Sequence, residues 1–387
     1  MEFGIFLLTI ELSIIISIDF LQEEPFMSLK YKTLADELRR TILTSGKKGQ
    51  RLSTEMQLMD RYKVSRQTVR QALSLLLEEG LIEKQQGSGT YIAWDSLPNP
   101  ASSRNIAILS TEVADRTSAS LWNAQSQFAN AGYQPQLFST ENRLSQERKI
   151  LESLAANPVR AILAEGVRTA FPNPNQDLYQ RLLDLGTSIL FIGNGYRNLP
   201  QIPCICADDY EGGYLLTRHL ISLRHTKIGG IFPSDSLMGH NRYLGCLCAL
   251  RDHLLAFDDR RFLWYDCAQR SSPADPVNNR LLLSFIQTQL PDCTAVVCFN
   301  EETACQLIRE LQKLHITVPD QLSVVGFGNS CCNELSPVAI TTAAHPNTSL
   351  WQAGAKRLLQ HLEGKATSPA SLPFSLIKKD SDGLAAF

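Results

Sequence analysis

The 387-residue sequence predicts an α/β protein in two parts: a small helical head closed by a β-hairpin, then a body of parallel sheets arranged as two lobes. Three observations lead there. Residues 62–91 run from a short turn through an amphipathic helix to a glycine-tipped hairpin. From Asn105 onward, apolar strand-like runs alternate with amphipathic helices, the pattern of parallel sheets covered on both faces. Between the two, Asp95 to Ser103 is polar, carries two prolines and has no period, so it reads as a linker. The expected divisions are 1–27, 28–94, 95–103 and 104–387.

In the head, Leu34, Leu38 and Ile42 form a helical stripe from Tyr31 to about Leu43, and Glu55 to Tyr62 forms a short second helix carrying Leu58 and Met59. Ser65 is a good N-cap, because its hydroxyl accepts a bond from an otherwise orphaned amide, and Gly80 stands where a left-handed stop is wanted. The third helix therefore spans about 66–79. Val69, Ala72, Leu73 and Leu76 fall at i, i+3, i+4 and i+7 as its buried stripe, while Arg66, Gln67, Arg70 and Ser74 lie opposite. Leu81 to Glu83 and Thr90 to Ile92 then flank Gln86-Gly87-Ser88-Gly89, a hairpin with a slim backbone tip.

Arginine near a helix N-terminus can present a two-pronged donor to O6 and N7 of guanine, and the major groove admits such a helix. From Ser28 to Trp94 there are twelve Lys and Arg against seven Asp and Glu, whereas the whole chain carries a net −2. Positive charge is thus concentrated where phosphates would be met. Arg66 and Arg70 are the base-reading candidates. A pair of arginines on a helix is more often a solvated face; the flanking helices and hairpin argue against that here.

These residues resemble the winged helix-turn-helix of GntR-type bacterial transcription factors. Tyr31, Leu52-Ser53-Thr54-Glu55, Val64 to Leu73 and Gly87 to Thr90 match the family's spaced elements, with Ser53 and Thr54 replacing its proline and serine and Met56 replacing a common basic residue. The resemblance implies contacts to double-stranded operator DNA from Arg66, Gln67, Thr68, Arg70 and the wing at Gly87 and Gly89.

In the body, strands are expected at Ile106–Leu109, Ala161–Ala164, Ile189–Ile192, Ile228–Phe232, Ala295–Phe299 and Leu322–Val325. Ligands of open parallel sheets bind beyond the carboxyl ends of the strands. That rule selects Ser110, Glu112, Glu165, Asn194, Ser234, Asp235, Asn300 and Asn329, mostly hydrogen-bonding groups suited to a polar small molecule. Each of them taken singly is equally explained as a wet loop residue.

Asn105 to Leu109, Asp208 to Gly213, Arg242 to Gly245, Val318 to Phe327, Thr341-Thr342 and Leu372 to Ser381 resemble the LacI/GalR-type effector domain, related to periplasmic sugar-binding proteins, over residues 104 to 381. The resemblance implies that Arg242 grips a ligand, with Asn300 joining it. A planar guanidinium can chelate two sugar hydroxyls. Where that family has an aspartate after the last strand of the second lobe, this chain has Gly328, and Asn329 or Asp235 is expected to compensate. GntR-type heads on such sensors occur among regulators of arabinose and related sugars, so the expected effector is a carbohydrate.

The composition, 44% apolar and 20% charged, suits a globular chain with a sizeable core. All ten cysteines lie from Cys204 onward without zinc spacing, and are expected as reduced thiols in a cytoplasmic protein, with Cys204-x-Cys206 on a strand and Cys246-x-Cys248 on a helix. Phe3 to Leu21 is apolar, yet Glu11 interrupts it and no Lys or Arg precedes Lys30, so neither a bilayer helix nor an export signal is expected. Met27 is a natural start, and residues 1–27 are expected to be a start-site extension. The expectation is a DNA-binding regulator, repressor and homodimer, with no cofactor, metal or membrane partner. The alternatives are an exported or cytosolic small-molecule-binding protein, which the head opposes, and an α/β enzyme. No nucleophile elbow, His-Glu-x-x-His pair, phosphate loop or dinucleotide fingerprint is present.

Overall fold

The computed structural model describes residues 30–42, 46, 48–85, 88–93, 100–111, 119–267, 277–328, 336–345, 349–365 and 370–385. The extension over 1–27, Gly87, Trp94, Glu112, Asn329 and residues 95–99 of the linker lie outside them.

The head consists of α1 (30–42), α2 (Glu55–Tyr62), α3 (Arg66–Glu78), and the antiparallel pair β1 (Ile82–Gln85) and β2 (Gly89–Ile92). Thr54 caps α2 with a reciprocal box: its hydroxyl accepts from the amide of Gln57, and the Gln57 side chain accepts from the amide of Thr54. Threonine therefore does locally what the family's serine does. Ser65 accepts from the amide of Thr68 at 3.2 Å, and Gly80 (φ +69°) takes the left-handed turn after α3. Val69, Ala72, Leu73 and Leu76 are all buried and pack with Leu34, Leu38, Ile42, Leu58, Leu81 and Ile92. Each such side chain stabilises the head by about 1.5–3 kcal/mol.

The first lobe holds β3 (Asn105–Ser110), β4 (Gln134–Ser139), β5 (Ala161–Glu165), β6 (Ser188–Ile192) and β7 (Cys204–Ala207), joined by α4 (Ala119–Asn130), α5 (Leu144–Ala156) and α6 (Gln176–Asp184). The second holds α7 (Asp209–Ser222), β8 (Ile228–Pro233), α8 (Leu237–Asp252), β9 (Phe262–Tyr265), α9 (Asn279–Thr288), β10 (Ala295–Cys298), α10 (Glu301–Lys313), β11 (Ser323–Phe327) and β12 (Thr341–Ala344). The chain then returns: α11 (Leu350–Leu362) packs Trp351, Ala355 and Leu358 into the first lobe's core, and β13 (Ala370–Leu372) pairs with β7. Last, β14 (Ser375–Ile377) pairs antiparallel with β12. Three crossings join the lobes.

Strand order is β13-β7-β6-β5-β3-β4 in one sheet and β14-β12-β11-β10-β8-β9 in the other. In each, the order reverses beside the lobe's first strand, where loops diverge and a crevice opens. The continuous apolar runs expected as strands are central and buried on both faces. The edge strands β4 and β9 were not expected. β4 reads Gln-Pro-Gln-Leu-Phe-Ser and is only half-buried, so it lacks the unbroken apolar run that marks a central strand. Cys204 and Cys206 do lie on β7 and Cys246 and Cys248 on α8, and the eight cysteines described are free thiols.

Candidate nucleic-acid interface and effector cleft

The exposed side of α3 carries Arg66, Gln67, Arg70, Gln71 and Ser74 around a shallow open groove. The side chains of Arg66 and Arg70 are 65% and 59% exposed, so both guanidiniums remain accessible to a duplex. They are not loose. Glu55, at the first position of α2, accepts from Nε of Arg66 at 3.1 Å and from Nε of Arg70 at 3.2 Å. The bond from Arg66 is the strongest influence on the Glu55 carboxyl and, with Arg70, holds it below the usual carboxylate range against the opposing effect of burial. One carboxylate thus orients two forks and leaves their outer nitrogens available. Glu55 belonged to the sequence motif, but its pairing across 11 and 15 residues had no local signal.

Thr68 differs from the expectation. It is 8% exposed and its hydroxyl lies 2.8 Å from that of Ser65, so the geometry gives it a place in the helix cap and turns it away from the groove. Gly89 stands at the wing in a positive-φ conformation (+133°).

Between the lobes lies a solvent-open cleft. The first lobe contributes Thr111, Asn142, Glu165, Gly166, Arg168, Thr169, Ile192 and Asn194, and the second Asp235, Ser236, Met238, Cys267 and Phe299. Every one of them stands at or beyond a strand's carboxyl end. Thr111 donates twice to Glu165 Oε2, from its amide at 2.8 Å and its hydroxyl at 2.6 Å. Asn142 donates to Asp235 Oδ2 at 3.1 Å and accepts from the amide of Arg168 at 3.0 Å. Arg168 reaches Asp266 at 3.0 Å and Asp235 at 3.7 Å. The bonds from Asn142 and Arg168 to Asp235 and Asp266 bridge the lobes.

The loop after β5 that carries Arg168 and Thr169 is fixed from beneath. Buried Glu147 on α5 accepts from the side-chain amides of Asn173 (2.9 Å) and Asn175 (2.8 Å) and from the hydroxyl of Tyr179 (2.7 Å). Burial pushes the Glu147 carboxyl up even against these donors. Tyr196, beside it, accepts from the amide of Val167 at 2.5 Å.

Of the strand-end candidates, Glu165, Asn194 and Asp235 line the cleft. Ser110 and Asn300 are not among its lining residues. Ser110 is 2% exposed at the end of β3, and Asn300 spends its side-chain oxygen capping α10, accepting from Thr303 at 2.9 Å. Ser234 bonds back to the carbonyl of Tyr265.

Arg242 sits deeper than expected for a residue that meets a ligand directly. Its Nε and Nη2 both reach Asp209 Oδ1 at 2.8 Å, Nη1 donates to the carbonyl of Phe299 at 2.5 Å, and the rings of Phe299, Phe327 and Phe374 surround it at 4.8, 4.1 and 5.7 Å. Only 7% of the residue is exposed. Asp209 and Phe299 hold three of its N–H groups, and Asp209 is the polar group that the sequence reading did not single out. Burial raises the Asp209 carboxyl, with the Arg242 charge opposing. Oδ2 of Asp209 and Nδ2 of Asn194 are both buried without a hydrogen-bond partner among the described residues. Gly328 has φ +107°, which disfavours any other residue there, and a Cβ would come within 3.8 Å of Glu301 Oε2. That backbone conformation suits glycine.

A three-helix head with a wing and an exposed arginine pair, followed by two doubly wound lobes around a polar crevice, defines a ligand-responsive DNA-binding regulator. Residues 30–92 match the gntR family of bacterial regulatory proteins, and residues 217–381 match the periplasmic binding protein-like domain. The arabinose metabolism transcriptional repressor of Halalkalibacterium halodurans is 32% identical over 347 residues, covering 87% of this chain and 90% of that protein. Its counterpart from Geobacillus stearothermophilus is 31% identical over 340 residues, covering 87% and 92%. Among solved structures, the CelR transcriptional regulator in complex with cellobiose shares the fold, with a TM-score of 0.62 at 19% identity over 82% of this chain and 92% of that one. The chain belongs to the gntR family of bacterial regulatory proteins, in the group whose sensor is a periplasmic-binding-protein-like domain. It is a transcriptional regulator and not an enzyme.

Proposed function

We propose that this regulator is a cytoplasmic homodimeric repressor of sugar-utilisation genes, released from its operator by a monosaccharide bound between the lobes. The observation that carries the reading is the polar lining of the cleft, with Asn142, Glu165, Asn194 and Asp235 gathered from the strand ends of both lobes. A sugar hydroxyl donates and accepts at once, so it can pair with carboxylates and side-chain amides alike. The relatives named as arabinose repressors make L-arabinose the first candidate. No helix among the described residues is long and apolar enough to cross a membrane.

On the DNA side, Arg66 and Arg70 read guanines from the major groove, Gln67 takes a neighbouring base edge, and the wing at Gly87 and Gly89 approaches the minor groove. Effector closure of the lobes shifts the spacing of two heads on a two-fold operator. Moving that balance from 1:99 to 99:1 requires about 5.5 kcal/mol of differential affinity. Fluorescence anisotropy with duplexes from the gene's own promoter, titrated with L-arabinose, D-xylose and D-ribose, tests this. A sugar that lowers operator affinity supports the proposal; unchanged affinity with all three, together with no thermal shift of the protein, overturns the choice of ligand class.

A further inference from the structure

The wing is broader than its hairpin. Residues 49–52 run alongside β2 as a third strand: the amide of Gly49 donates to Ile92 at 2.8 Å, that of Ile92 to Gln50 at 2.9 Å, and that of Leu52 to Thr90 at 2.9 Å. Arg51 pairs antiparallel with Tyr91 in this ladder. Alternation along an extended chain sends Leu52 to the head's core and Arg51 to the outside. The Arg51 guanidinium lies against the backbone of Gly89, where a Cβ would come 3.0 Å from its Nε and 3.4 Å from its Nη2. The absence of a side chain at 89 thus makes room for an arginine at the wing.

Arg66 and Arg70 are both tethered to Glu55. Among the described residues Arg51 has no carboxylate partner and is exposed, so its charge is not offset locally. A cation held beside the wing, one strand behind its tip, meets the rim of a groove before its floor, and that rim is phosphate. We infer that Arg51 is a DNA-backbone contact of the wing, binding a phosphate with its guanidinium independently of the base-reading face of α3. This rests on the reading that the head binds duplex DNA.

The test uses the full chain and two duplexes, one operator and one random, with affinity followed from 50 to 200 mM salt. Arg51→Gln should weaken binding by the same factor on both duplexes. The slope of log affinity against log salt should shrink by about 0.9 per head, about 1.8 for the dimer, so the fall in affinity across that salt range becomes roughly 12-fold smaller. Arg51→Lys should keep the wild-type slope, because a point charge suffices for a phosphate. The thermal midpoint should stay unchanged in both variants.

Unchanged affinity and slope in Arg51→Gln would overturn the assignment. So would weaker binding at an unchanged slope, which marks a mere support for the wing, or a loss confined to the operator, which marks base reading. A wild-type chain that binds neither duplex sinks the DNA-binding reading itself, and this inference with it.

Discussion

Replacing Arg242 by alanine leaves Asp209, 2% exposed, without the guanidinium that pairs with it. Removing one partner of a buried ion pair costs about 3–5 kcal/mol. A domain of roughly 150–250 residues loses about 2–4 °C of midpoint per kcal/mol, so the sensor's transition should fall by roughly 6–20 °C. A residue that only gripped a ligand would give a milder outcome, loss of effector response with operator binding spared. Scanning calorimetry of the full chain without effector separates the two. The double variant Arg242→Met, Asp209→Leu should recover most of the stability, because apolar groups of similar volume remove both charges together. A midpoint drop under about 2 °C in the single variant would refute this reasoning, as would a double variant no more stable than the single one.

Asn194→Ala should raise the sugar concentration needed for release by roughly 2- to 13-fold while leaving operator affinity within about twofold, the loss of one bond of about 0.5–1.5 kcal/mol falling on the ligand alone; an unshifted sugar response in that variant excludes Asn194 from the site. Arg70→Ala should remove about 1–3 kcal/mol of preference for operator over random duplex, measured by competition, and equal losses on both contradict base reading. Glu55 has a folded pKa below its ordinary value of 4.5, so the tether it forms is complete above that pH and is lost as pH falls through the lowered value. Accordingly Glu55→Gln at neutral pH should change stability by less than about 1 kcal/mol but raise affinity for random DNA, through two released cations; unchanged random-DNA affinity counts against the tether. Gly245→Ala forces a Cβ to 2.1 Å from the carbonyl of Tyr210, where α7 and α8 cross, and should destabilise the second lobe by about 1–3 kcal/mol in urea unfolding, with wild-type stability the disproving result.

The head was legible because its signals are local. Caps at Thr54 and Ser65, the stripe from Val69 to Leu76 and the stop at Gly80 each depend on residues within a turn or two of one another. The central strands were legible for a similar reason, since burial on both faces writes an unbroken apolar run. The strand-end rule found Glu165, Asn194 and Asp235 at the cleft but also named Ser110 and Asn300, because a polar residue after a strand serves equally well as a helix cap. Asn142 escaped notice because its strand, β4, lies at a sheet edge and carries a proline.

From the order of residues alone came the class of protein: a winged head with arginines on the outer face of its third helix, and a parallel α/β sensor behind it. Periodicity and capping act over a few residues, and the chain displays them directly. The fold decided how those groups are used. It joined Arg242 to Asp209 across 33 residues, Asn142 to Asp235 across 93 and Arg168 to Asp266 across 98. Whether a charge meets a ligand or a partner depends on which loops the sheet order brings together, and that is settled only when the core packs.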